Sequence, residues 1–245
     1  MKKIVIIGAT SSIAEHCARI WVKDPIDLVL IGRNQQKLDL IAQDLRVRSP
    51  ESNITTKITN FEEPQAIEAL ISKLNQTAVD IALIAHGSLP EHQECQNDLA
   101  LCKETLDING LSPVLFAEAF ASEMEKRNKG TLAIIGSVAG DRGRKSNYVY
   151  GAAKGLVARY AQGLQHRMAK TNVKVVLIKP GPTDTPMTSS IKAKNGALAS
   201  VEEVSKSIVQ GIHEGRSVFY VPSKWEWIML IIRFLPASIF NKLEI

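Results

Sequence analysis

The chain has 245 residues, 45% of them hydrophobic and 22% charged, with a formal net charge of +5. These proportions describe one globular domain that buries a substantial core. The basic excess suits an anionic cofactor, a phosphorylated substrate or an anionic membrane surface, but the cations are dispersed and aromatics make up only 5%, which argues against nucleic acid. Cys17, Cys95 and Cys102 lack metal-ligand spacing, so they read as free thiols of a reducing, cytoplasmic compartment and no metal site is expected.

Met1-Lys2-Lys3 followed by Ile4-Val5-Ile6-Ile7 imitates the start of a signal peptide, but the apolar run is shorter than an h-region and reads better as a first buried strand. Strand-like apolar runs follow at 27–31, 53–58, 79–85, 131–136, 173–179 and 218–221, after a first at 3–8. Between them lie amphipathic stretches such as 35–46, 64–74, 110–127, 150–170 and 201–214. Alternating strand and helix predicts an α/β fold: a doubly wound, mostly parallel sheet of Rossmann type with helices on both faces. One domain over 1–222 with an apolar helical extension at 223–245 is the expected organisation. The irregular stretch 180–197, rich in Thr, Ser and Pro beyond a strand end, is a candidate substrate loop or lid.

The first strand runs into Gly8-Ala9-Thr10-Ser11-Ser12-Ile13-Ala14-Glu15. Glycine and small residues there let backbone approach a pyrophosphate at a helix N-terminus. The run is not G-x-G-x-x-G, and alone it is equally an ordinary strand, turn and serine-capped helix. Strand two ends in Gly32-Arg33. An acidic residue there would bind a ribose 2′-hydroxyl, whereas arginine accommodates a 2′-phosphate; the competing reading is a solvated Arg at a strand end.

Ser137, Tyr150 and Lys154 carry the chemistry. Tyr150 and Lys154 are four residues apart in a small-residue helical pattern, so phenol and ammonium share a face. The cation is expected to lower the tyrosine pKa toward neutrality and make it a general acid or base. Ser137, at the end of an apolar strand, is placed to hold a carbonyl oxygen beside that phenol. Tyr220 and Lys224 repeat the spacing, but Pro222 between them disfavours a helix and Ser207 lies inside a helical pattern, so this second copy is set aside.

These residues resemble the short-chain dehydrogenase/reductase family over residues 1 to about 222. Its glycine turn matches Ile7 to Ala14 with two glycines replaced by small residues. Its Asn-Asn-Ala-Gly is reduced to Ile84-Ala85-His86-Gly87. Its adenine-contacting Asp matches Asn60, before Phe61, and its helix asparagine matches Asn109. Its Pro-Gly-x-x-x-Thr matches Pro180-Gly181-Pro182-Thr183-Asp184-Thr185. The resemblance implies a catalytic set of Asn109, Ser137, Tyr150 and Lys154. Asn109 would hold a proton-relay water, and Lys154 would contact the nicotinamide ribose. It implies cofactor contacts at Gly8, Thr10, Ser11, Ser12, Ile13, Arg33, Asn60, Phe61, Ala85, His86, Gly87, Tyr150, Lys154, Pro180, Gly181, Thr183 and Thr185. The expected cofactor is NADP(H) rather than NAD(H), the expected assembly a homodimer or homotetramer. His86 reads as a packing histidine or an extra acid, and Tyr148 as a cleft-lining or packing residue.

The turns Gly8–Glu15 and Ser137–Arg144, with the Trp-containing tail, are similar to a bacterial subgroup described as resembling decaprenylphosphoryl-2-keto-β-D-erythro-pentose reductases. That implies a lipid-linked keto-sugar as substrate. A different bulky apolar carbonyl or alcohol (acyl, polyketide or steroid-like) and a non-catalytic dinucleotide sensor remain as alternatives. Arg142, Arg144 and Lys145 could grip a substrate phosphate or form a solvated basic loop. In the tail at 224–245, the run from Trp227 to Ile232 is too short to span a bilayer. Three readings compete for it: a peripheral membrane contact, a subunit contact and packing on its own domain.

Overall fold

The computed structural model describes residues 1–189 and 198–243. Its strands are β1 (Lys2–Ile7), β2 (Ile26–Gly32), β3 (Asn53–Ile58), β4 (Ile81–Ile84), β5 (Gly130–Ile135), β6 (Val173–Pro180) and β7 (Val218–Val221). They form one seven-stranded sheet in the order β3-β2-β1-β4-β5-β6-β7, every pairing parallel. The helices are α1 (Ser12–Trp21), α2 (Gln35–Arg48), α3 (Pro64–Leu74), α4 (His92–Asn97), α5 (Leu99–Leu106), α6 (Ser112–Lys126), α7 (Tyr148–Met168), α8 (Val201–Glu214), α9 (Lys224–Phe234) and α10 (Ala237–Phe240).

The two faces of the sheet explain the uninterrupted apolar runs. Side chains alternate across a strand, so Val5, Ile7, Val29 and Ile31 enter one core, with Ile71, Phe116, Phe120 and Val157 from α3, α6 and α7. Ile4, Ile6, Leu28 and Leu30 enter the other, with Ala14, Leu38, Leu45 and Ile208 from α1, α2 and α8. A strand covered on both sides has no polar face to show, which is why periodicity of two is absent from these segments.

Register brings the carboxyl ends of the central strands level. Ile7 pairs with both Ile31 and Ile84, and Ile84 pairs with Ile134. Gly8, Arg33, Ala85 and Ser137 therefore emerge along one edge, across the β1/β4 reversal of strand order where such sheets bind ligands. Two features depart from the sequence reading. Residues 92–106, left without assignment, form α4 and α5, the latter capped by Asp98, which accepts from the Ala100 and Leu101 amides. The helix expected over 110–127 begins at Ser112 and is preceded by a π-helical turn, Asp107–Leu111, carrying Asn109. Of the candidate lid, Pro186–Thr188 is a 3-10 turn and 190–197 lie outside the described residues.

Candidate active site

One cavity of about 590 Å³ runs along the carboxyl edge of the sheet. It is lined by Gly8, Thr10, Ser11, Ser12, Ile13, Arg33, Phe61, Ala85, His86, Gly87, Asn109, Ser137, Tyr150, Lys154, Pro180, Gly181, Thr183 and Thr185. Of the catalytic and cofactor residues that the resemblance implies, Asn60 alone stays outside the lining; its carboxamide accepts from the Glu62 amide at 3.0 Å and closes its own turn. Tyr148 also stays outside, edge-on against His92. The lining also includes Lys37, Leu89, Asn147 and Met187. These sit on a helix face or in loops, where no local pattern separates a cavity wall from solvent.

At one end, Gly8 adopts φ +80°, and a Cβ there would lie 2.6 Å from the backbone nitrogen of His86. Only glycine permits both the left-handed turn and that approach. The turn delivers the N-terminus of α1, whose cap residue Ser11 makes no side-chain bond to its own helix. Uncommitted N–H groups and a free hydroxyl suit a phosphate group. Arg33 lies 5.9 Å from the Phe61 ring centroid and, among the described residues, has no carboxylate partner. The retained glycine, the open helix end and the unpaired guanidinium thus fit a dinucleotide despite the missing glycines.

His86 is no acid. Its Nε2 lies 2.9 Å from Ser112 Oγ, which donates to the Phe61 carbonyl at 2.6 Å, so the imidazole proton sits on Nε2. The ring packs edge-on against Phe61 and Phe116. Burial, with the nearby charges of Lys154 and Arg33, pushes its pKa down to about 3. It is neutral throughout the physiological range, and its Nδ1 is buried with no hydrogen-bond partner among the described residues.

At the other end, Ser137 closes β5 in an extended conformation and caps a 3-10 turn, Val138–Gly140, accepting from the Ala139 amide at 3.1 Å. Tyr150 occupies the first turn of α7, and Lys154 follows one turn later with its Nζ 5.8 Å from the Tyr150 ring centroid. Lys154 is 3% exposed and donates to the Ile135 carbonyl at 3.2 Å. Asn109 is also buried: its Oδ1 accepts from the Ser88 amide at 2.9 Å, and its Nδ2 donates to the Thr105 carbonyl at 2.9 Å.

One electrostatic expectation is overturned. Burial raises the Tyr150 pKa, and the hydrogen bond with Ser137 only partly draws it back. The same burial lowers Lys154 to about 8. Sequence spacing reveals the neighbouring charge but not the loss of water, and here desolvation wins. The phenol is held protonated beside an ammonium that is itself strained.

The basic loop after Ser137 divides its labour. Arg142 is committed to the tail: its Nη1 donates to the Ile232 and Leu235 carbonyls, each at 2.6 Å, and its guanidinium stacks 3.8 Å from the Phe240 ring centroid. It satisfies the open carbonyl end of α9 and is not a phosphate ligand. Asp141 is consumed by buried Lys179 at 2.5 Å and by the Tyr220 hydroxyl at 2.7 Å. Tyr220, from the second Tyr-x-x-x-Lys, is thus a structural partner in β7, while Lys224 opens α9. The tail also reaches the Pro-Gly stretch: a Cβ on Gly181 would lie 2.0 Å from the Trp225 indole nitrogen, so glycine is required for α9 to dock. Among the described residues no helix is long and apolar enough to cross a membrane.

The profile of the short chain dehydrogenase family matches residues 2–196. The chain belongs to that family. Curated relatives of this short-chain dehydrogenase include an uncharacterized oxidoreductase of Staphylococcus aureus, 28% identical over 219 residues, covering 89% of this chain and 93% of the relative. Another, from Staphylococcus epidermidis, is 27% identical over 213 residues, covering 86% and 90%. Among solved structures, an actinorhodin polyketide ketoreductase with NADPH superposes with a TM-score of 0.80 at 19% identity, over 90% of this chain and 95% of that one. A bulky-bulky ketone specific alcohol dehydrogenase from Comamonas testosteroni gives 0.81 at 20% identity, over 100% and 95%. At these identities the structural likeness establishes the fold, and the family profile establishes an NAD(P)-dependent oxidoreductase.

Proposed function

We infer that this short-chain dehydrogenase is an NADPH-dependent carbonyl reductase for a bulky ketone, with Tyr150 as proton donor. The observation that carries this reading is the meeting of Ser137, Tyr150 and Lys154 in the same cavity as the glycine turn and an unpaired Arg33. When bound, the dinucleotide supplies the hydride. Ser137 holds the carbonyl oxygen beside the phenol and donates to it as negative charge develops. Tyr150, held protonated, transfers its proton to that oxygen, the role that reduction asks of it. The Lys154 ammonium stabilises the phenolate left behind. Arg33 accommodates the 2′-phosphate and makes NADPH the preferred cofactor.

A bulky ketone is favoured by the likeness to the polyketide ketoreductase and the bulky-bulky ketone specific enzyme. The lipid-linked keto-sugar suggested by sequence resemblance is the finer candidate, and the tail supports it. Trp225, Ile228, Met229 and Ile232 form the inner stripe of α9, while Trp227, Leu230, Ile231 and Phe234 recur at helical spacing on the outside. Trp227 and Phe234 are 70% and 75% exposed. Peripheral contact with a cytoplasmic membrane face would cover this stripe; a second copy in a homo-oligomer is the competing cover.

Tyr150→Phe removes the donor and keeps the ring. The expected result is a ~10²–10⁴-fold loss of ketone-dependent NADPH oxidation, far larger than any loss of NADPH affinity. Turnover near the parent rate would mean that Tyr150 is not the acid.

A further inference from the structure

Arg144 stands apart from every other cation of the catalytic region. It lines the cavity together with Ser137, Asn147 and Tyr150. Its Nη2 lies 3.2 Å from the Met229 sulfur of α9, a weak acceptor, and its Nε is buried with no hydrogen-bond partner among the described residues. Burial lowers its pKa, with Asp141 opposing only in part. Asp141 is the opposing charge, but its two carboxylate oxygens already accept from Lys179 and Tyr220. Asn147 precedes α7 without capping that helix, and its Oδ1 is also buried with no hydrogen-bond partner among the described residues. A carboxamide can be turned, so the same position can present an N–H donor.

A partly buried guanidinium without a carboxylate destabilises a fold, and buried polar groups are otherwise nearly always satisfied. The phosphates of a dinucleotide are not the missing partner. Arg33 and Gly8 mark that end, and Arg33 follows β2 whereas Arg144 follows β5. Three strand spacings in the order β2-β1-β4-β5 separate the ends of β2 and β5 by roughly 14 Å. Arg144 shares its cavity with Ser137 and Tyr150, and Leu89 and Met187 belong to the same lining.

We propose that Arg144, assisted by Asn147, is the anion-recognising group of the substrate half of the cavity, and that the substrate carries a carboxylate or phosphate in addition to its reacting carbonyl. The planar fork of an arginine suits either oxyanion. The proposal deepens the reductase reading and rests on it for the word substrate; the anion site itself can be tested without turnover.

The test is calorimetric titration of the full chain, with NADPH in excess, using hexyl phosphate, hexanoate and hexanol as probes. At least one anion is expected to bind more tightly than hexanol, and the tighter of the two names the oxyanion. Arg144→Gln is expected to weaken that anion about 10- to 100-fold and leave hexanol unchanged. Arg144→Lys, which keeps the charge without the fork, is expected to fall between the two and guards against a misfolded glutamine variant. Parity of the probes on the parent protein overturns the proposal. So does anion affinity that survives Arg144→Gln. Loss of anion affinity in that variant, with no ketone reduced by the parent protein, would leave the anion site standing and sink the reductase reading instead.

Discussion

Replacing Lys154 with methionine is expected to stabilise the protein while removing its chemistry. Lys154 is buried, and desolvation lowers its pKa from 10.5 to about 8. Between those two values the unfolded chain holds a proton that the folded chain has released, so stability rises with pH across that window. Below pH 8 the folded protein carries the whole penalty of a buried charge, about 3 kcal/mol at ~1.4 kcal/mol for each tenfold change in proton affinity. Methionine forfeits the hydrogen bond to the Ile135 carbonyl, which offsets about 1 kcal/mol. The net gain at pH 7 is then ~2 kcal/mol, or roughly 4–8 °C in Tm for a domain of this size. Urea unfolding of both proteins at pH 7 and 10.5, followed by tryptophan fluorescence, measures it. A gain at pH 7 that disappears by pH 10.5 is the expected pattern. Equal stability at pH 7 would refute the claim that the ammonium is desolvated. A gain independent of pH would assign the effect to better packing.

Arg33→Asp is expected to weaken NADPH and strengthen NADH, reversing the preference by at least about tenfold for a lost charge-assisted contact; unchanged Kd values for both cofactors would remove Arg33 from the site. For the tail, the double variant Trp227→Glu, Ile231→Glu alters only its outer stripe and leaves Trp225 on Gly181. The parent is expected to co-sediment with anionic vesicles and the variant to stay in the supernatant. A parent that ignores vesicles but dissociates into lighter species after the substitution would assign the stripe to a subunit contact.

Much of the fold was legible because local chemistry and global structure agree. The strands at 53–58 and 218–221 and the helices at 64–74 and 201–214 coincide with β3, β7, α3 and α8, since β-branched runs and amphipathic stretches flanked by turn residues leave little choice. The exceptions are instructive. Residues 92–106 form two short helices whose pattern is too brief to register. Arg142 and Arg144 are two residues apart and chemically alike, yet one caps α9 and the other lines the cavity. Only the path of the tail separates them.

By itself the sequence determined the alternating architecture and the glycine at the first turn, and it singled out Ser137, Tyr150 and Lys154 through element order as well as spacing, since the spacing alone recurs at Tyr220 and Lys224. The tertiary structure alone decided the electrostatics. Spacing brings Lys154 one helical turn from Tyr150, but the cores on either side exclude water, and that exclusion raises the phenol, lowers the ammonium and silences His86. Solvation is a property of everything packed around a group, and no stretch of sequence carries it.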